Sequence, residues 1–249
     1  MIVDAHAHVD EVPALGWIDP PEALIAELDA AGIDRAVVMT YTEAPALNPR
    51  AVEYLAEQVA RYPDRLIGYV RLHPWYEREA HDLLDRAIRV YRMKGLKLHP
   101  VGSLAHPASE PTLRLIRQAA AYAAPVLFHC GDEALTTPLQ IARAAEQVPG
   151  AAIILGHMGG YFHVDEAIET AARLPNLYLE TSAMPYPHLI RRAIDAIGPQ
   201  RVLFASDGPG CSPRLEVRKV ELAGLTSAER ELVFHGNIQR LLDGVRHTG

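Results

Sequence analysis

The stretch MIVDAHAHVDEVPALG (residues 1–16) decides between two architectures. It opens on a strand-like run, Ile2 to His8, that carries His6 and His8 with one alanine between them. A strand alternates its side chains between two faces, so both imidazoles point the same way. Two imidazoles on one face need two sets of partners, and imidazole is also the commonest neutral metal ligand. The residues just past the run matter equally. A doubly wound open sheet often places a Gly-rich phosphate loop, GxGxxG, after its first strand. Here that place holds HVDEVPALG, without the motif.

The rest of the chain repeats one unit. After MIVDAH come the apolar runs RAVVMT (35–40), LIGYVRL (66–72), GLKLH (95–99), PVLFHC (125–130), AAIILGH (151–157), LYLETS (177–182) and RVLFASD (201–207). Helix-period segments lie between them at 21–31, 48–62, 76–92, 109–123, 138–147, 164–173 and 187–197. Further helical segments near 213–222 and 226–243 come after the last strand. Eight strand-then-helix units without a composition break predict an α/β fold. The expected form is a single (β/α)8 TIM barrel over residues 1–249, with extra C-terminal helices. An open sheet shares the alternation. The number of units favours the barrel, and so does the clustering of polar residues at the C-terminal ends of the runs, where barrel active sites sit.

Composition narrows the function classes. The 249 residues carry a net charge of −7 with acids and bases interspersed, which argues against nucleic-acid binding. No apolar run is long enough to cross a bilayer, and residues 1–10 start on a strand pattern, not a secretory signal. Cys130 and Cys211 form neither a Cys-x-x-Cys motif nor a disulfide framework. A cytoplasmic protein with a small-molecule substrate, no nucleic-acid or membrane partner and freedom to form a homo-oligomer is expected.

The polar strand ends carry the chemistry. Strand 1 supplies His6 and His8, strand 4 Lys97 and His99, strand 5 His129, strand 6 His157 and strand 8 Asp207. Singly, His129 reads as a hydrogen-bonded core histidine and Asp207 as an Asp-Gly turn residue. Jointly they converge on one face of one barrel. Three imidazoles and a carboxylate there make a nitrogen/oxygen site for a divalent ion, with His6, His8, His129 and Asp207 as the ligand set. Zinc suits so nitrogen-rich a set. The ion lowers the pKa of a bound water toward about 7, and Asp207 stands beside it to take the proton.

The motifs DAHAH (4–8), FHCG (128–131), GHMGG (156–160) and SDGP (206–209) resemble the amidohydrolase superfamily. The nearest likeness is to its amidohydrolase-related branch, which includes aminocarboxymuconate-semialdehyde decarboxylase-like proteins. GLKLHP (95–100) and HGNIQRLL (235–242) echo it, so the resemblance spans the chain in order. It implies a (β/α)8 barrel, His6, His8, His129 and Asp207 on one metal, and Asp207 as proton acceptor. It also implies that His157 reaches the bound water or the substrate as a catalytic partner. In two-metal members a carboxylated strand-4 lysine bridges the ions, which would make Lys97 a bridge. The reading preferred here is one ion and a free Lys97.

Lys97, Arg71, His99 and Tyr41 are the candidate substrate-binding residues. Arg71 can hold a carboxylate bidentately or pair with Glu180 on strand 7. Trp75 and Glu180 are further candidates for the mouth, and packing is the expectation for Trp75. Metal-dependent hydrolysis of an amide, ester, lactone or related centre is the first functional expectation. Non-oxidative decarboxylation of an unsaturated or aromatic acid by a carboxy-lyase is the second. A non-catalytic, metal-stabilised binding protein is the third, disfavoured because a structural zinc site closes its coordination shell. The short chain, with little room for covering insertions, tilts the choice toward hydrolysis.

Overall fold

Parallel neighbours cannot be joined by a tight turn, so each pair needs a crossover, and the helical segments provide it. The computed structural model describes residues 1–131 and 134–248. Eight parallel strands stand side by side in chain order. They are β1 (Val3–His8), β2 (Arg35–Met39), β3 (Leu66–Arg71), β4 (Gly95–Leu98), β5 (Val126–Phe128), β6 (Ile153–Leu155), β7 (Leu177–Glu180) and β8 (Val202–Leu203). The ring closes between its ends. Ala5 N–H donates to Phe204 O (3.0 Å), Asp207 N–H to His6 O (2.7 Å) and His8 N–H to Gly208 O (2.7 Å). The (β/α)8 barrel expected from the alternation is the fold.

The crossover helices are α1 (Pro21–Ala31), α2 (Ala51–Arg61), α3 (Glu77–Arg89), α4 (Glu110–Ala121), α5 (Pro138–Gln147), α6 (Val164–Arg173) and α7 (Pro187–Ile197). After β8 come α8 (Pro213–Glu221) and a terminal helical segment, Ser227–Asp243, with a π-turn at Leu232–Gly236. Proline opens α1, α5, α7 and α8, where its missing N–H costs nothing and its fixed φ suits the first turn. Thr137 and Gln140 form a capping box on α5. A left-handed Gly32 (φ 71°) stops α1. Among the described residues no helix is long and apolar enough to cross a membrane.

Two apolar layers result. Outward strand residues such as Val38, Val70, Leu96 and Phe128 pack with the helices in one large cluster. Inward residues Val3, Ala5, Val37, Met39, Ile67, Tyr69, Leu127, Ile154, Leu203 and Ala205 fill the barrel, joined by Ile238 and Leu242 of the terminal helix. Tyr69 faces Gly95 across the β3–β4 register. A Cβ at Gly95 would come within 2.5–2.7 Å of the Tyr69 ring. Gly95→Ala is therefore expected to destabilise the barrel by about 1–3 kcal/mol through overpacking. In urea unfolding it should lower the midpoint and leave the slope unchanged.

One local irregularity sets the orientation of the first two histidines. Asp4 pairs with Ala36 and Ala7 with Val38, so β1 has one residue more than β2 over this stretch. Val3 and Ala5 belong to the inner cluster, whereas Ala7 and Val9 belong to the outer one. The extra residue is a bulge that switches parity, so that His6 and His8 join Ala5 on the inside. Strict alternation predicts that His6 and His8 share a face; the bulge decides which. An antiparallel hairpin, Asp10–Val12 with Trp17–Asp19, fills the loop between β1 and α1, a feature the strand-helix rhythm does not predict.

Candidate metal centre

The expected strand ends meet at the C-terminal mouth, and four of them, His99, His129, His157 and Asp207, stand just past their strands. β6 ends at Leu155, and His157 sits in the next turn at φ 57°, with Met158 at φ 48°. Asp207 lies past β8 at φ 58°, and Ala183 past β7 at φ 52°. Non-glycine residues avoid this region because Cβ crowds the backbone, and they hold it where the surroundings over-determine the chain. His6 and His8 rings stand 5.0 Å apart, His6 and His157 5.2 Å, and His129 and His157 4.9 Å.

The fully buried carboxylate of Glu180 organises these rings. Its Oε1 lies 3.0 Å from His6 Nδ1 and accepts from the His157 N–H (2.8 Å) and the Ser182 hydroxyl (3.0 Å). Its Oε2 accepts from the Ser182 N–H at 2.7 Å. A carboxylate only accepts, so His6 must carry its proton on Nδ1 and present a bare Nε2. Ser182 spends its one proton on Glu180, so its oxygen accepts from His157 Nδ1 at 2.9 Å. His157 also presents a bare Nε2, 3.1 Å from His129 Nδ1. A carboxylate fixing the tautomer of a ligand histidine is a recurrent arrangement behind metal ions.

His6 Nε2 is 2.9 Å from Lys97 Nζ and 3.5 Å from Asp207 Oδ1, and His8 Nε2 donates to Asp207 Oδ1 at 3.0 Å. Burial holds His6 well below the usual imidazole range, with Lys97 adding to it against Asp207. His8 is lowered by burial, opposed by its bond to Asp207. Burial brings His99 down to about 2 and lowers His129 also. Lys97 is pushed down to about 7 by burial and by Arg71. Burial alone would raise Asp207, but His6 and the hydrogen bond from His8 outweigh it and hold the carboxyl below its ordinary range. The state favoured at neutral pH is a set of neutral imidazoles beside an ionised carboxylate. Those are the protonation states that bind a divalent cation.

Ligand atoms of His6, His8 and Asp207 lie within 4.8 Å of one another, and so do those of His6, His157 and Glu180. With His8 Nε2 donating to Asp207, the buried Nδ1 of His8 is the bare nitrogen of that ring and has no hydrogen-bond partner among the described residues. His6, His8 and Asp207 fit a divalent ion as donors, whereas His129 belongs to neither group, its Nδ1 lying 3.1 Å from His157 Nε2. A cavity of about 140 Å3 adjoins these residues, lined by His129, His157, Asp207, Tyr161 and Ala183 among others. A larger hollow of about 600 Å3 beside Arg86 and Arg89 lies on the helical shell, and no histidine cluster lines it.

The other expected residues occupy distinct positions. Tyr41 stacks on His8 at 4.3 Å, and His99 stacks on His129 at 4.3 Å while its Nδ1 accepts from Gly102 N–H. Arg71 is buried, but its partner is Glu43 and not Glu180. Its Nε and one terminal nitrogen both donate to Glu43 Oε1. Trp75 is half exposed and bonds the Leu104 carbonyl. Cys130 is buried and Cys211 half-buried, and neither is in a disulfide. Glu43, Ser182 and the hub role of Glu180 are what sequence reading missed. The only signal was a glutamate at the end of the β7 run, and it named the wrong partner.

A closed parallel barrel with imidazoles and a carboxylate gathered at its C-terminal mouth defines a class, that of barrel enzymes built around a metal centre. The amidohydrolase family model matches residues 3–244, and the chain belongs to the amidohydrolase family. Comparison with curated proteins finds no match. Among solved structures, 5-carboxyvanillate decarboxylase from Sphingomonas paucimobilis is similar at TM-score 0.78 and 16% identity, over 97% of this chain and 98% of that one. 2,6-Dihydroxybenzoate decarboxylase from Rhizobium gives 0.78 and 17%, over 97% and 98%. A dihydroxybenzoic acid decarboxylase from Polaromonas, with bound manganese and 2-nitroresorcinol, gives 0.76 and 19%, over 97% and 96%. At such identities the likeness shows the fold.

Proposed function

We propose that the protein is a metal-dependent, non-oxidative decarboxylase of a small aromatic or unsaturated carboxylic acid. His6, His8, His129 and Asp207 hold one divalent ion, zinc or manganese, and His157 serves as the catalytic partner. The observation that carries this reading is the buried amine of Lys97, 2.9 Å from His6 Nε2 and beside Arg71, at the floor of the mouth. An amine brought down to about 7 takes up its proton when an anion arrives, which suits a substrate that brings a carboxylate. The adjoining cavity of about 140 Å3 suits a compact ring. The decarboxylase names of the similar structures support the same choice.

A bound ion would supply Lewis-acid polarisation of a substrate oxygen. Lys97 is assigned to the substrate carboxylate, Tyr41 and His99 brace His8 and His129 by stacking on them, and Tyr161 and Ala183 line the adjoining cavity. The bond from ring carbon to carboxylate breaks, its electron pair stays on carbon, and CO2 leaves. That carbon then takes a proton drawn from solvent and relayed through the Asp207 carboxylate or the bare Nε2 of His157. Hydrolysis is the second reading, favoured by Asp207 itself, an ionised acceptor beside the imidazoles that could take a proton from water. Metal-loaded protein offered a panel of aromatic acids, lactones, esters and amides decides between them. CO2 release supports decarboxylation, and metal-dependent hydrolysis of neutral substrates without CO2 release overturns it.

His157→Ala is expected to keep most of the metal and to lose about 10²–10⁴-fold in turnover, the scale of a general acid–base group. Metal content by elemental analysis alongside turnover checks this. Loss of metal together with activity would make His157 a ligand instead.

A further inference from the structure

The Thr181–Ser182 peptide stands between the outer helices and the Glu180 hub. Its N–H, from Ser182, donates to Glu180 Oε2 at 2.7 Å. Its C=O, from Thr181, accepts from the ammonium of Lys219, which also pairs with Glu216 one turn earlier on α8. Both side chains are almost fully buried, at 7% and 9% exposure. The C=O and N–H of a trans peptide point in opposite directions on a rigid plane. Gripping the oxygen from the helix side therefore aims the N–H at Glu180. Thr181 is fixed on its other flank as well, its N–H donating to Leu203 O (3.0 Å) and its hydroxyl oxygen accepting from Ala205 N–H (3.3 Å).

We propose that Lys219, held by Glu216, is a positioning residue for the metal centre. It locks the Thr181–Ser182 plane and, through Glu180 and Ser182, the Nδ1–H tautomers of His6 and His157. A buried ammonium is costly unless it is paired and hydrogen-bonded, and here it is both. A carbonyl at this point needs a donor, and an apolar residue filling the same volume would leave the peptide free to tilt. The loop 207–212 that carries Asp207 runs directly into α8, so one helix ties the Asp207 side of the mouth to the Glu180 side. The geometry stands without a metal; its consequence for ion binding rests on the metal reading above.

The test uses metal-free and Mn2+-titrated full-length protein. Two-bond 1H–15N correlation spectra of histidine side chains should show His6 and His157 as Nδ1–H tautomers in the unsubstituted protein; Nε2–H at both overturns the proposal outright. In Lys219→Met the His157 signals should shift to a tautomer mixture, and Mn2+ affinity should fall about tenfold, the low end of the cost of losing a supporting contact behind a ligand. Lys219→Arg, which keeps a donor, should restore much of both. The double variant Lys219→Met/Glu216→Gln removes the stranded carboxylate and should show the same tautomer change if the single variant folds poorly. Unshifted tautomers and Mn2+ affinity in either folded variant overturn the proposal. Shifted tautomers with no Mn2+ binding by the unsubstituted protein would leave the positioning role standing and remove the metal reading instead.

Discussion

Asp207→Asn is expected to leave a folded barrel that has lost about 10⁴-fold in turnover, the upper end of what a proton-transferring group contributes. Asparagine is the informative substitution because residue 207 has φ 58°, a region that asparagine tolerates better than other non-glycine residues. It has nearly the same volume, and its amide oxygen can still accept from His8 Nε2. What disappears is the negative charge facing His6 and His8 and the capacity to take a proton. A site reduced to neutral donors should also bind Mn2+ or Zn2+ more than about 100-fold more weakly, beyond the loss seen when only a supporting residue is changed. Elemental analysis, calorimetric metal titration and turnover on the substrate found by the panel read these effects. Unchanged metal content would remove Asp207 from the ligand set.

Arg71→Met should cost about 3–5 kcal/mol of stability, because it strands a buried carboxylate. Glu43 is fully buried, its Oε1 is held by Arg71, and its Oε2 has no hydrogen-bond partner among the described residues. The guanidinium is thus its main compensation. Replacing both members, Arg71→Met with Glu43→Met, should recover most of the loss, since a well-packed apolar pair often matches a buried ion pair. Urea unfolding of the two single variants and the double one measures the coupling. A small stability change with a raised KM would instead make Arg71 a substrate ligand.

Much of the architecture is legible in the amino-acid order. Runs of apolar residues every thirty or so positions define the strands, and the helices α5, α6 and α7 begin at Pro138, Val164 and Pro187, as the periodicity expects. The polar strand ends His6, His8, Lys97, His99, His129, His157 and Asp207 are legible because a barrel strand buried on both faces has no other use for them. Periodicity and composition are local properties, and these features are local.

Three features of the site are not local, and closure of the barrel settles them. A single extra residue in β1 turns His6 and His8 inward, and nothing in VDAHAH marks where that bulge falls. Arg71 pairs with Glu43 rather than Glu180, because the choice between two carboxylates depends on which loop folds over which strand end. Glu180 sets the tautomers of two histidines, one of them 174 positions away in the chain. The residues that reach the mouth are specified by the chain alone, since alternation and strand length are written into each short segment. Which nitrogen of each ring faces the centre depends on hydrogen bonds between segments that only the folded barrel brings together.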